Sequence, residues 1–404
     1  MHFMGYARKD GQAGTRNLVA VLPLVFCANH VARRIADAVR GAVAFPHPVG
    51  CGYPGPDQEV TAHILKRLAL HPNFGAVLFV GLGCERVRLE DMEPEVIERQ
   101  KPLRFLSIQE AGDSCKAVAQ GVLLAQALAG ETARRQREKC PLSALTLGLK
   151  CGGTDAFSGL AANPALGLAS DLLLEAGGTS LLTEITELCG TEKIMARRAV
   201  NPAVAERILA CVDKNVRRLH RATAGLSSRG HGGAGNVMLV SPGNAEGGVS
   251  NVVEKALGGL KKAGNAVFQD VLDYGCPPLG HGLYLMDGPG HDGEAVTGQA
   301  AAGANLVVFT TGRGTPAGFP GVPVFKITGN PSLYKSMVAN LDFDAGRLFS
   351  EGMALDALGR DLFAALLRTA SGEPTKAELL GHEELFCISR FMATHRCCEG
   401  CGEF

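Results

Sequence analysis

The chain has 404 residues, a length that suits two or three domains. Its 40 basic and 40 acidic residues cancel, and the basic clusters lie in helix-like stretches with acidic neighbours, which argues against a nucleic-acid partner. No apolar run reaches the roughly 18 residues of a membrane span, and the first ten residues lack the order of a signal peptide. We therefore expect a cytoplasmic protein that does not enter a membrane.

Short apolar runs alternate with amphipathic stretches over the first half of the chain. This alternation predicts strand–helix–strand units, and therefore a parallel sheet with helices on both faces. Helical stretches continue to about Arg221. The predicted strands are 18–25, 76–81, 103–108, 145–149 and 179–183, and the predicted helices are 28–39, 91–99, 114–128 and 164–176.

Residues 224–235 are rich in glycine, serine and alanine and lack apolar periodicity, which predicts a linker or lid between two domains. The alternation then resumes, with predicted strands 237–240, 266–271, 282–286, 305–310 and 322–327 and predicted helices 249–262 and 294–302.

These patterns predict an α/β fold of two layered domains with mostly parallel sheets, residues 1–223 and 236–385, and a ligand site at the carboxyl ends of the strands. Residues 386–404 are dense in cysteine but offer no four-ligand zinc pattern. We predict that they form a poorly ordered tail.

Three cysteines, Cys51, Cys84 and Cys151, each lie in a glycine-rich turn at or soon after the end of an apolar run. Thirteen cysteines in a reducing compartment favour thiols for metal binding or catalysis over disulfides. Because the carboxyl ends of parallel strands open into one crevice, the three thiolates could converge on one site. Three buried structural thiols are the alternative interpretation.

Acidic and histidine side chains near these turns are candidates for metal ligation or proton transfer. An isolated histidine near a proline turn can equally be structural, and Glu187 alone is typical of a helix cap. The candidates of this kind are Glu85, Asp155, Glu184, His47, His281 and His291.

Two further segments could grip a carboxylate. Arg313, in the segment 310–314, offers a planar fork beside the hydroxyls of Thr310 and Thr311, and the prolines that follow prevent the helix of a dinucleotide-binding loop. Arg16 and Asn17 stand before the first long strand. A solvated turn and a surface loop are the respective alternatives.

The segment 241–244 stands before glycines and a predicted helix, so its amide groups could face an anion. Asn244 is the candidate side chain of this segment. A simple helix cap is the alternative.

An ordered set of motifs runs from Gly5 to about Gly381. The motifs are Gly14–Asn17, the Gly-Cys-Gly turn at Cys51, Gly81–Glu85, Cys151–Gly159, Ala162–Pro164, Ser241–Asn244, Met286–Gly290 and Thr310–Gly314. This set resembles the altronate/galactarate dehydratase family. The resemblance implies an iron-dependent lyase that removes water from a sugar acid and gives a 2-keto-3-deoxy acid.

Two forms of the implied iron remain open. One is a [4Fe–4S] cluster on Cys51, Cys84 and Cys151, and the other is a mononuclear Fe(II) with carboxylate and histidine ligands. The ligands of the second form would be Glu85, Asp155 and His47. In either form we expect Arg16 and Arg313 to hold the carboxylate, Asn163 and Asn244 to bind hydroxyls, and His47, Glu184 or His291 to move the proton.

Sugar-acid dehydratases of this family usually begin with a small β-rich SAF-type domain, which we expect this chain to lack. The chain is thereby also similar to the large subunit of a two-subunit sulfolactate sulfo-lyase. Thr154, Ala245 and His291 stand where the family commonly has Ser, Lys and Tyr. If that lysine touches substrate in relatives, the substrate here differs. We expect a small hydroxy or sugar acid as ligand, a separate small subunit and a homo-oligomer. The alternative from a different class of function is a non-catalytic scaffold protein without a labile metal.

Overall fold

The computed structural model describes residues 1–52, 55–223 and 241–390. The predicted linker 224–235, the predicted strand 237–240 and residues 391–404 of the predicted tail lie outside these ranges. Among the described residues, no helix has both the length and the apolar character needed to cross a membrane.

The strands in chain order are β1 His2–Ala7, β2 Ala13–Gly14, β3 Leu18–Pro23, β4 Ala42–Ala44, β5 Phe74–Gly81, β6 Leu103–Ser107, β7 Glu138–Pro141, β8 Thr146–Cys151, β9 Thr179–Leu182, β10 Phe268–Leu272, β11 Gly282–Met286, β12 Leu306–Thr310, β13 Val324–Thr328 and β14 Phe343–Asp344. The helices are α1 Asn29–Asp37, α2 Gly55–Leu70, α3 Glu93–Glu98, α4 Ile108–Ala111, α5 Ser114–Ala133, α6 Asn163–Glu175, α7 Glu192–Arg197, α8 Pro202–Thr223, α9 Pro242–Glu246, α10 Val252–Leu260, α11 Asp292–Ala301, α12 Pro331–Ser336, α13 Arg347–Ser350, α14 Leu355–Ala370 and α15 Lys376–Leu380.

Two parallel sheets form the framework. A four-stranded sheet has the order β4-β3-β5-β6, and a seven-stranded sheet has the order β10-β11-β9-β8-β12-β13-β14. All eight residues of β5 are buried, as expected for a parallel strand covered on both faces. A small antiparallel sheet, β2-β1-β7, contributes buried residues to the core of the seven-stranded sheet. The predicted α/β fold with layered parallel sheets is confirmed.

The two sheets share a layer of helices. One apolar core combines residues of β3 and β5, of α2 and α11, and of β9, β11 and β12. The outer face of the four-stranded sheet packs on α1 and α5, and the outer face of the seven-stranded sheet packs on α6, α8 and α14. Helices α2 and α11 therefore lie between the sheets.

The pairing of strands does not follow the predicted division of the chain at 224–235. Strands β8 and β9, which precede it, pair with β12 and β11, which follow it. The sheets change instead between β6 and β8. The predicted tail also begins too early, because the ring of Phe386 packs 5.1 Å from that of Phe45 and Ile388 is buried.

Candidate active site

Strands β8 and β9 are neighbours in the seven-stranded sheet, and their carboxyl ends carry the candidate site. Cys151 is the last residue of β8, and Glu184 follows β9 after one residue. The backbone of Glu184 has a φ of 70°, a left-handed conformation that a non-glycine residue rarely adopts. This turn directs the carboxylate inward, where Glu184 Oε2 accepts a hydrogen bond from the amide of Cys151 at 3.1 Å.

Two buried lysines hold the Glu184 carboxylate. Lys150 Nζ donates to Glu184 Oε1, to the carbonyl of Cys151 at 2.6 Å and to Asp292 Oδ1 at 2.8 Å. Lys262 Nζ lies 2.6 Å from Glu184 Oε2 and 2.9 Å from the sulfur of Cys151. We call Lys150, Cys151, Glu184 and Lys262 the buried cluster, since none is more than 4% exposed.

Electrostatics fix the protonation of the buried cluster. Burial raises the pKa of Cys151 to about 12, and the Glu184 carboxylate adds to this effect. Burial opposes charge on the other three groups, but their mutual attraction outweighs it. The pKa of Glu184 is lowered, and the pKa values of Lys150 and Lys262 are raised. The cluster therefore contains a carboxylate between two ammonium groups, beside a neutral thiol.

A second carboxyl group, Glu187, adjoins the buried cluster. Glu187 Oε1 pairs with Lys255 Nζ at 2.8 Å, and the pKa of Glu187 is raised by burial and by the neighbouring Glu184. Ligand atoms of Cys151, Glu184 and Glu187 lie within 4.8 Å of one another, so this group could hold a metal ion.

The fit of a metal to this group is incomplete. The thiol and two carboxylates are suitable donors in type and spacing. However, both carboxylate oxygens of Glu184 already accept hydrogen bonds from the ammonium groups of Lys150 and Lys262, and Lys262 also contacts the sulfur of Cys151. A resident cation would meet two positive charges in the same small volume, so the arrangement as described does not fit an iron ion.

The glycines after Cys151 bring a more exposed set of groups to the same edge. A side chain at Gly152 would approach Asp292, and one at Gly153 would collide with Arg313 and approach Asn244. Asn244 Oδ1 accepts from the amide of Thr154 at 2.7 Å, while its Nδ2 has no acceptor among the described residues. Within the described ranges, Arg313 forms its one ion pair with the exposed Glu246, at 2.8 Å. His291 is exposed at the start of α11.

Other predicted residues at this edge brace the loops. Asp155 Oδ1 accepts from the amide and hydroxyl of Ser158, both at 2.8 Å. Thr310 donates to Asn163 Oδ1 at 2.6 Å, and Asn163 donates to the carbonyl of Gly258. The hydroxyl of Thr311 accepts from the amides of residues 313 and 314. These side chains hold the edge together through contacts within the protein.

The predicted clamp Arg16–Asn17 lies elsewhere and already has partners. Arg16 binds a carboxylate of the protein itself, through Nε to Glu378 Oε1 at 2.6 Å and Nη2 to Glu378 Oε2 at 2.8 Å. Asn17 bonds to Arg8 and to the carbonyl of Thr132. Both precede β3, at the amino edge of its sheet, so the structure does not bring them to the buried cluster.

The predicted residues of the four-stranded sheet form a different edge. Both ring nitrogens of the buried His47 bond to backbone groups, to the carbonyl of Pro23 at 2.7 Å and to the amide of Val49 at 3.3 Å. Burial lowers the pKa of His47 to about 4. Glu85 accepts from the amides of its own turn, residues 82 and 83.

Cys51 and Cys84 also lie at this edge, in loops that touch where the amide of Arg86 donates to the carbonyl of Gly50 at 3.2 Å. Both thiols are exposed, whereas Cys151 is buried. Among the described residues, Cys151, Glu184 and Glu187 form the one group of potential ligands that meets at metal-binding distance. Glu85, Asp155 and His47 therefore do not form the mononuclear site that we predicted.

Comparison with known proteins identifies the family. A family described as "D-galactarate/Altronate dehydratase, C-terminal" matches residues 142–393, and one described as "D-galactarate dehydratase/Altronate hydrolase, second domain" matches residues 5–133. The chain belongs to the altronate/galactarate dehydratase family. The two matched ranges divide it where the sheets change, between β6 and β8.

Named relatives of the family cover most of the chain. The altronate dehydratase of Bacillus subtilis is 36% identical over 95% of this chain and 75% of the relative. The galactarate dehydratase (L-threo-forming) of Escherichia coli is 34% identical over 92% of this chain and 73% of the relative. The (2R)-sulfolactate sulfo-lyase subunit beta of Chromohalobacter salexigens is 35% identical over 96% of this chain and 97% of the relative. As a member of this family the protein is an enzyme, a carbon–oxygen lyase of the hydro-lyase class.

Sequence reasoning missed the lysines of this family member. Lys150 interrupts an apolar strand that is buried on both faces, and a charge in such a run indicates a buried ion pair. That signal was available. Lys262 gave none, because it follows an ordinary amphipathic helix and its partner Glu184 is 78 residues away in the chain.

Proposed function

We propose that the protein dehydrates a sugar acid of the altronate or galactarate type, and that the buried cluster is its reactive centre. The observation that carries the proposal is the pair of ammonium groups on Glu184 at the carboxyl ends of β8 and β9. Ligand sites of parallel α/β sheets lie at this edge. Buried groups with strongly shifted pKa values are typical of catalytic centres.

The proposed elimination removes a proton next to a carboxylate and expels the hydroxyl group on the next carbon. Negative charge develops on the substrate carboxylate, and fixed ammonium groups stabilise such charge strongly where water is excluded. Lys150 and Lys262 supply these charges, and Glu184 fixes their position. Glu187 has a raised pKa, which suits a group that exchanges a proton with the substrate. Loss of water gives an enol, which rearranges to a 2-keto-3-deoxy acid.

Substrate binding is proposed for the exposed groups beside the glycine turn. Arg313 would exchange the weak surface pair with Glu246 for a bidentate grip on a substrate carboxylate. Asn244 offers its Nδ2, which has no acceptor in the described part of the chain, to a hydroxyl, and His291 stands at the mouth of the site. Asn163, Thr310 and Thr311 act in this proposal by holding the loops that carry these groups.

The test is an assay of the purified full chain with altronate, galactarate and sulfolactate, with detection of the 2-keto acid product. Lys262→Met should lower kcat by about a thousandfold, since it removes one of the two ammonium groups. Lys261→Met is the matched control, because Lys261 is the exposed neighbour in the chain. Equal turnover by the two variants would refute the role of the buried cluster.

Iron remains a prediction from the family resemblance. Its cluster form would use Cys51, Cys84 and Cys151. A mononuclear form on Cys151, Glu184 and Glu187 would require Lys150 and Lys262 to leave Glu184. Bound iron would supply a Lewis acid for the leaving hydroxyl. Iron and sulfide analysis of anaerobically purified protein tests both forms without an activity assay. Stoichiometric iron that is lost in Cys151→Ser supports them, and wild-type protein without stoichiometric iron contradicts them.

A second candidate function is that of the large subunit of a sulfolactate sulfo-lyase. It is favoured by the match to subunit beta of the C. salexigens enzyme, which extends over 97% of that subunit. Sulfite release from sulfolactate upon addition of a small β-rich partner subunit would support this function. Water loss from a sugar acid by the chain alone would contradict the need for such a partner.

A further inference from the structure

A pocket of about 320 Å³ lies at the amino ends of β8 and β9, where Thr146 and Thr179 begin these strands. The buried cluster is at the other end of the same strands, and Cys151 follows Thr146 by five residues, or about 17 Å of extended chain. The pocket is therefore separate from the candidate active site. Its size is within the range of small-molecule sites.

We propose that this pocket is a second binding site, for a small oxyanion such as a phosphate or a carboxylate, with Arg67 as its anchor. Arg67 projects from α2, is only 9% exposed and lines the pocket. Its Nε donates to the carbonyl of Ala301 at 3.2 Å. Its two terminal amino groups make no hydrogen bond to any described residue.

The charge of Arg67 is poorly balanced. Its ion pair with Glu95 is long, with 3.9 Å between Nη1 and Oε1, and Glu95 also pairs with Lys66 and Arg99. The one carboxylate among the pocket residues, Asp10, is bonded to Arg99 at 2.9 Å. The two terminal amino groups of Arg67 have no acceptor among the described residues, and a bidentate oxyanion in the pocket would supply two.

Three hydroxyl groups could complete the site. Ser143, Thr146 and Thr179 line the same pocket, and within the described part of the chain their hydroxyls make no hydrogen bond. Hydroxyls can donate to the remaining oxygens of a phosphate or a carboxylate. The imidazole of His71 is not available, because both its nitrogens bond to backbone groups.

The experiment is isothermal titration calorimetry of the full-length protein with inorganic phosphate, with malate and with uncharged glycerol. Wild type should bind phosphate or malate but not glycerol, and the better of the two identifies the oxyanion class. Arg67→Gln should weaken that binding by about tenfold or more through loss of charge-assisted hydrogen bonds. Lys66→Gln is the matched control, since it removes a charge beside Glu95 from the same helix without lining the pocket.

The binding must persist in Lys262→Met, which separates it from the candidate active site and from the proposed function. If circular dichroism shows that Arg67→Gln does not fold, Ser143→Ala replaces it, with an expected weakening of a few-fold. The proposal is overturned if neither anion binds wild type at millimolar concentration. The proposal is also overturned if Arg67→Gln binds the better anion as tightly as wild type does. Where Ser143→Ala replaces Arg67→Gln, the same criterion applies to Ser143→Ala.

Discussion

The carboxyl edges of the two sheets carry the same kind of motif but differ in what surrounds it. In the four-stranded sheet, glycine turns present Cys51 and Cys84 to solvent, and nearby polar side chains bond to their own backbone. In the seven-stranded sheet, a glycine turn follows a buried thiol that contacts the ammonium group of Lys262 and the carboxylate of Glu184. Glycine-flanked cysteines are therefore common to both edges, and buried, mutually dependent charges distinguish the edge that carries Cys151.

The largest effect is expected at Glu184. Glu184→Gln leaves Lys262 as a buried charge without a carboxylate partner and leaves Lys150 with Asp292 alone, so the free energy of unfolding should fall by about 3–5 kcal/mol. kcat should fall by about a thousandfold, because the positions of both ammonium groups depend on this carboxylate. Urea unfolding and steady-state kinetics measure the two effects.

Glu85→Gln is the matched change at the other edge. It removes hydrogen bonds to two backbone amides, so we expect a loss of only about 1–2 kcal/mol and little change in kcat. A loss of kcat as large as that of Glu184→Gln would erase the contrast between the edges.

A pH-dependent effect is expected at His47. Its pKa is about 4 in the folded protein, below the usual 6.5, because burial disfavours the charged ring. The unfolded chain therefore takes up this proton first, and stability is lost as the pH falls from about 6.5 to about 4. Over this window the unfolding free energy of wild type should fall by up to about 3 kcal/mol more than that of His47→Gln. If wild type and His47→Gln lost stability equally over this pH range, His47 would not be the source of the pH dependence.

Two arginine-to-lysine changes separate binding from support. Arg16→Lys loses the bidentate grip on Glu378, so we expect about 1–2 kcal/mol less stability and an unchanged KM. Arg313→Lys should leave stability unchanged, because its exposed pair with Glu246 contributes little, and should raise KM several-fold. If Arg16→Lys raised KM and Arg313→Lys lowered stability instead, Arg16 rather than Arg313 would be the residue that binds the substrate carboxylate.

The smallest effect on stability is expected for Cys51→Ser and Cys84→Ser. Both thiols are exposed, so the unfolding free energy should change by no more than about 0.5 kcal/mol. The iron content of these variants sharpens the comparison of the edges. Loss of iron from either would link the two edges through one cluster, and unchanged iron would confine any metal to the edge with Cys151.

Periodicity in the sequence predicted the central strands well. Strands β5, β8, β9, β11 and β12 lie within a few residues of their predicted positions, because they are short apolar runs between helices. Helix α2 was missed, since it lies between the two sheets and buries residues around most of its surface, which removes the amphipathic signal. Strand β7, Glu138–Pro141, was missed because its polar sequence pairs with β1 far along the chain.

The candidate site was predicted in part, for a similar reason. A position at the end of a strand is a local property, so Cys151 and Glu184 were found. Whether Arg16 holds a substrate or Glu378 depends on a contact across 362 residues, and the ion pair of Lys262 with Glu184 spans 78. Spacing in the sequence contains no information about such partners. The structure was therefore needed to find the lysines at Glu184 and the ion pair of Arg16 with Glu378.

The left-handed backbone of Glu184 has a consequence for how this site can be recognised and altered. A strained φ costs of order 1–3 kcal/mol, and glycine would remove that cost. Glu184→Gly therefore relaxes the main chain while it deletes the charge, whereas Glu184→Gln keeps the strain and deletes the charge alone. The difference in stability between these two variants combines the relief of this strain with the loss of the packing and hydrogen bonds of a buried side chain.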